Sequence, residues 1–210
     1  MKKHLIILLF LVGANNLFGA NDEQQVVDCF IAYKESLKKQ DGKKALDLIN
    51  QKSLQYYDSM VKLSVNGSEK EVKKLRMIDR MMVLIIRHKI DGKTLLKMSG
   101  KDLFRLYVDK GWLNQDGLGR VDIGKVTFYG TKASGHVVHK GRPTPLTISF
   151  TNDKGKWQID LTSLLDNTNS AFVMMAKRAK MEENQYVIKV IEASTGQKVS
   201  PNIWKPIAKK

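Results

Sequence analysis

Residues 146–162 read Leu-Thr-Ile-Ser-Phe-Thr-Asn-Asp-Lys-Gly-Lys-Trp-Gln-Ile-Asp-Leu-Thr, and this stretch decides the fold class. Leu146, Ile148 and Phe150 alternate with Thr147, Ser149 and Thr151; Trp157, Ile159 and Leu161 then alternate with Gln158, Asp160 and Thr162. Side chains on a strand point to opposite faces in turn, so each run has one apolar and one polar face. Asn152-Asp153-Lys154-Gly155 between them is turn chemistry, which predicts two neighbouring antiparallel strands. The same period of two extends back to Arg120. Ala133, Gly135, Val137 and His139 share one face, which points His139 inward, while His136 takes the polar face. Val126 and Phe128 follow Val121 and Ile123 out of phase, so a bulge or bend is expected at Gly124.

Upstream the period is helical. Val26, Phe30, Tyr33 and Leu37 lie on one stripe of a helix that starts near Asn21 or Asp22 and breaks at Asp41-Gly42. A second helical stretch runs from about 43 to 63, through Ala45, Leu48, Ile49, Tyr56, Tyr57, Met60 and Val61, and stops at Asn66-Gly67-Ser68. Ser68 and Glu71 have the spacing of a capping box. The residues after them predict a long amphipathic helix over 72–88, with Leu75, Ile78, Met82, Ile85 and Ile86 on one face. Lys73, Arg76, Arg80 and Arg87 fall on the opposite face, with Asp79 and His88 at the margins. Short helices follow over 93–98 and 99–108. Beyond 167 the helical spacing returns with Phe172, Ala176 and Ala179, then Tyr186, Val187, Val190 and Ile191, before a tail with Pro201, Trp204 and Pro206. The order predicts an α+β protein: N-terminal helices packed on a curved antiparallel sheet, then C-terminal helices and an extended tail. Trp157 is expected between the sheet and the helix carrying Ile78 and Met82.

The first twenty residues read as a Sec-type signal peptide. Lys2, Lys3 and His4 precede a mostly apolar run from Leu5 to Ala14, and Gly19-Ala20 offers small residues for cleavage before Asn21. The run is shorter than the roughly 20 residues that span a bilayer. The expected organisation is a signal peptide over 1–20, a cone-like domain over 21–166 and a helical extension over 167–210, in a periplasmic or secreted protein.

Composition narrows the function classes. The 210 residues hold 36 Lys+Arg against 21 Asp+Glu, a net charge of +15, and one Cys. A single Cys excludes a disulfide framework and a Cys-ligated zinc site. Only seven of the 36 cations are Arg, the residue that forks onto phosphates and bases, so the excess does not point to nucleic acid. No Gly-rich phosphate loop, zinc-binding His-Glu-x-x-His helix or Gly-x-Ser-x-Gly elbow occurs, and neither a cofactor nor a metal is expected. His136 and His139 lie on opposite faces of one strand and cannot share an ion.

The order of elements resembles the nuclear-transport-factor-2-like superfamily, the cystatin-like cone in a broad sense. The resemblance rests on the first helix, on Lys43-Lys44-Ala45-Leu46-Asp47-Leu48-Ile49, on the apolar helix over 72–88 and on the strand Lys156-Trp157-Gln158-Ile159-Asp160-Leu161. It covers residues 24–165. It implies a cavity closed by helices, used elsewhere in the superfamily for binding or for acid–base catalysis. The candidate acid–base residues are Asp79, His88, His139 and Tyr56, with Tyr57, Asp58 and Asp160 of the right type. Each also has a structural reading: Arg76 one turn before Asp79 makes an ion pair as good an account, a lone inward His139 suits packing, and Cys29 among Val26, Val27 and Phe30 reads as a small buried hydrophobe.

Two function classes follow. One is an exported binding or interaction module, with a cone cavity for a small apolar ligand and a basic helix face (Lys73, Arg76, Arg80, Arg87) for an acidic protein or an anionic membrane surface. The other is a small isomerase, dehydratase or hydrolase working with Asp, His or Tyr. Ionisable side chains converging on one point of the cavity would favour the enzyme. The oligomeric state is left open, a homodimer included.

Overall fold

The computed structural model describes residues 20–113 and 118–207. Apart from its last residue, the expected signal peptide lies outside the described residues. The chain is α+β, with helices first, a four-stranded antiparallel meander second and helices again at the end.

Helix α1 (Ala20–Lys38) buries Val26, Phe30, Tyr33 and Leu37, the stripe expected from its three- and four-residue spacing, with Cys29 beside it. The stretch expected as one helix over 43–63 is two: α2 (Gly42–Leu46) and α3 (Gln51–Asn66). Between them the backbone docks on the sheet edge. Ile159 N–H donates to Leu48 O at 2.8 Å, and Asn50 N–H donates to Ile159 O at 2.9 Å. The Asn50 side chain then caps α3 by accepting from Ser53 N–H at 2.9 Å. Edge pairing therefore outweighs helix continuation here.

The helix expected over 72–88 is also broken. Ser68 and Glu71 form their capping box on α4 (Glu69–Lys74), but Leu75 and Arg76 are extended and α5 (Met77–Lys89) begins afresh. The new start is capped from a distance, by Ile78 N–H donating to Asn169 Oδ1 at 3.2 Å. Helix α5 is buried on nearly every side, and its driest residues are Val83, Leu84 and Ile86. Helices α6 (Gly92–Leu95) and α7 (Gly100–Asp109) follow, α7 with its own capping box from Ser99 and Asp102.

Strands β1 (Val121–Tyr129), β2 (Lys132–His139), β3 (Arg142–Asp153) and β4 (Lys156–Asp160) pair in sequence order. Lys140-Gly141 and Lys154-Gly155 both have positive φ at two consecutive residues, the geometry that matches hairpin twist. The register shifts between Ile123 and Val126, which is the irregularity expected at Gly124. Helix α1 packs on the inner face against β1 and β4. Trp157 is 3% exposed, with its ring 5.7 Å from that of Phe128. Its cover is α1, where the Cys29 thiol donates to Trp157 O at 3.2 Å, and not the helix carrying Ile78 and Met82. Helix α5 instead sits between α3 and the C-terminal elements: α8 (Leu165–Arg178), α9 (Glu183–Thr195) and a 3-10 turn over Pro201–Trp204. Ala176, Val187, Ile191 and Ile203 join the same buried cluster as the sheet and the N-terminal helices.

Candidate functional site

Between α1, α3 and the mouth of the sheet lies a cavity of about 430 Å³, a size that suits a small organic molecule. Helix α1 contributes Tyr33 and Leu37, α3 contributes Tyr57, and the strands contribute Val121, Val137 and Leu146. Leu113, Leu161, Leu164 and Thr168 complete the wall, so seven of the ten lining residues are Leu or Val. The Thr168 hydroxyl donates to Leu164 O at 2.8 Å and is occupied.

Tyr33 and Tyr57 are 2% and 4% exposed, and neither hydroxyl has a hydrogen-bond partner among the described residues. Behind them, the Tyr107 hydroxyl is sealed off, also without a partner. Burial pushes all three phenols well above the usual tyrosine range, and the closeness of Tyr57 adds to the rise at Tyr33 and at Tyr107. They are hydrogen-bond donors at any physiological pH, not bases. Tyr57 is further fixed by edge-to-face contacts with Tyr56 and Phe104.

The residues singled out from the sequence lie elsewhere. Asp79 is buried on α5, where it accepts from Arg76 Nε at 2.7 Å and from the Tyr56 hydroxyl at 3.0 Å. The far side of the Arg76 guanidinium reaches Asp166 at 2.5 Å. Tyr56 is pushed up by burial first and by the Asp79 charge second. Asp79, Arg76, Tyr56 and Asp166 form a structural clamp. His88 is half-buried with Nε2 3.3 Å from Thr195 Oγ1. His139 is exposed, contrary to its expected inward phase: the β2–β3 register slips after His136, and His139 pairs with Arg142 at the turn, past the helix cover. Asp58 accepts from Gly100 N–H at 2.5 Å at the start of α7. Asp160 is buried, accepting from Lys52 at 3.0 Å and from Thr162. Cys29 is buried, and its thiol is pushed up to about 12 by that burial. Among the described residues no group of three or more His, Cys, Asp or Glu side chains could hold a metal ion.

The expected basic face is corrected at Arg80 and Arg87, which are 5% and 6% exposed. Arg80 bonds Glu183 at 2.9 Å, Asn184 and Leu75 O. Arg87 donates to five backbone carbonyls: Leu63, Ser64, Gly67, Ile203 and Trp204. The C-terminal elements cover this side of α5, so the periodicity that marked it as polar marked a buried polar seam. Lys73 pairs with Glu69 at 2.6 Å, and Lys73 and Arg76 alone of the four keep substantial exposure.

Sequence reasoning placed Tyr33 in the apolar stripe and passed over Tyr107. The available signal was the hydroxyl itself: a phenol on a core-facing stripe needs an acceptor, and the neighbouring stripe residues offer none. Comparison with protein-family models, with curated proteins and with solved structures finds no match to this chain. Among the described residues no helix is long and apolar enough to cross a membrane.

Proposed function

We propose that this protein is an exported binding module of the nuclear-transport-factor-2-like kind, whose cavity shelters a small apolar ligand. The observation that carries the reading is the cavity lining: aliphatic side chains and two neutral phenols, with no carboxylate, imidazole or cation among the described lining residues. The acid–base candidates Asp79, His88, His139 and Tyr56 do not converge there, which supports binding over acid–base turnover. The arginines of α5 are engaged by the protein's own C-terminal elements, so the proposal rests on the cavity and not on an anionic partner.

The uncharged probe N-phenyl-1-naphthylamine should bind with a rise in fluorescence, and Leu164→Trp, which fills the cavity wall, should abolish the rise while leaving the far-ultraviolet spectrum unchanged. Equal binding by parent and variant would reject the cavity. Export is checked separately: mature protein should begin near Asn21, and intact Met1 on exported material would reject the signal.

A further inference from the structure

Two phenols on the wall of an apolar cavity, with no hydrogen-bond partner among the described residues, need an explanation, because an unpaired buried hydroxyl is costly. Tyr33 and Tyr57 line the cavity, and Tyr107 stands behind Tyr57. Thr168, the other polar lining residue, already donates to Leu164 O. The side-chain donors left free among the described lining residues are therefore the two phenolic O–H groups.

We propose that the Tyr33 and Tyr57 hydroxyls receive a neutral carbonyl oxygen of the ligand, so that the cavity selects a ketone or ester on an otherwise apolar body. This deepens the binding reading above and rests on it. A carbonyl oxygen has two lone pairs, accepts from both phenols and brings no new donor to be satisfied. A pure hydrocarbon would leave both hydroxyls unpaired. A carboxylate would bring a charge into a wall that offers no Lys or Arg among its described residues, and an unpaired buried charge is far more costly than a buried carbonyl.

The test uses the mature chain and three naphthalenes of nearly one shape: 2-acetylnaphthalene, 2-ethylnaphthalene and naphthalene-2-carboxylate, each displacing N-phenyl-1-naphthylamine. Tyr33→Phe and Tyr57→Phe should each weaken the ketone about tenfold, the size of one well-made neutral hydrogen bond, and leave the ethyl compound within about twofold. The carboxylate should bind more weakly than the ketone. Both Phe variants should keep or raise the denaturation midpoint, since they remove a hydroxyl that has no partner among the described residues. Equal losses for ketone and hydrocarbon would make the phenols mere wall, and a carboxylate that binds tighter than the ketone would make the site an anion site; either overturns the proposal while the cavity stands. If neither neutral compound displaces the probe from the parent, the cavity reading itself falls.

Discussion

The guanidinium of Arg87 donates to the carbonyl of Trp204, 2.8 Å away and 117 residues later in the chain. The same side chain reaches Ile203 O at 3.1 Å, and Leu63, Ser64 and Gly67 at the end of α3. No carboxylate is among these partners. The carbonyls at a helix C-terminus lack intrahelical donors and carry partial negative charge, so a buried cation there satisfies orphan acceptors and is itself stabilised. Arg87 thus ties the end of α3 to the C-terminal turn from the last turn of α5.

Arg87→Ala should be among the most damaging substitutions in the protein. It leaves four carbonyls to find other donors, Leu63 O keeping the Gly67 N–H, in a site too closed for free hydration, at a cost of about 3 kcal/mol or more. Arg87→Lys keeps the charge but not the fork, and should recover only part of the loss. Chemical denaturation reads both. A midpoint unchanged in Arg87→Ala would refute the clamp.

The alternation was a sound guide to β3 and to β4 as far as Asp160, because both strands have one face in the core, while Leu161 and Thr162, read as strand, lie in a 3-10 turn. It told nothing of which helix covers them. Trp157 lies under α1, and that choice follows from long-range packing to which a period of two is blind. The breaks at Asp47–Asn50 and at Leu75–Arg76 were hidden for a related reason: partners far along the chain, Ile159 and Asn169, satisfy the backbone groups that continued helices would have used.

Trp157→Ala should cost about 3–5 kcal/mol, the range for deleting a large buried ring. Phe128 rests against that ring and should show coupling with it in a double-mutant cycle. Additive losses would mean that the two rings do not share a packing unit.

Alkali should unfold the protein before it ionises the cavity. Cys29 is pushed up to about 12, and burial raises Tyr33, Tyr56, Tyr57 and Tyr107 above the usual phenol range. An unfolded thiol titrates near 8.5 and an unfolded phenol near 10. Above about pH 8.5 the unfolded chain therefore holds fewer of these protons than the folded one, so stability is full below that pH and falls as pH rises toward the folded values. Denaturation midpoints from pH 8 to 11 should decline, and Cys29 should react with a thiol reagent only as the chain opens. Rapid labelling of the folded protein at pH 8 would contradict the burial.

The candidate site was half legible. Apolar periodicity pointed to a closed core beside α1 and α3, and Tyr57 was of the right type. Asp79 drew attention through its place on an apolar helix, where its nearer cause was Arg76 one turn away. The basic face misled most. A polar stripe opposite an apolar one looks the same in sequence whether water or a second layer of protein covers it, and only α8, α9 and the terminal turn decide which.

The two partners of the Arg80–Glu183 pair should respond unequally to substitution. Arg80 is nearly sealed, while the Glu183 side chain across the 2.9 Å contact is 40% exposed. Arg80 Nε has no partner among the described residues, so the buried cation already bears an incomplete set of bonds. Replacing it by an apolar residue of similar length removes the desolvation cost together with the ion pair, and the freed Glu183 can hydrate. Removing Glu183 instead strands the guanidinium in place with Asn184 and Leu75 O. Arg80→Met should therefore cost about 1 kcal/mol or less, and Glu183→Ala more, about 2 kcal/mol after allowing for the exposure of the carboxylate. The double variant should match Arg80→Met, because without the cation Glu183 has nothing to neutralise. Denaturation of the three variants measures the cycle. If Arg80→Met is the more damaging single change, Arg80 contributes net stability through the pair and the asymmetry argument fails.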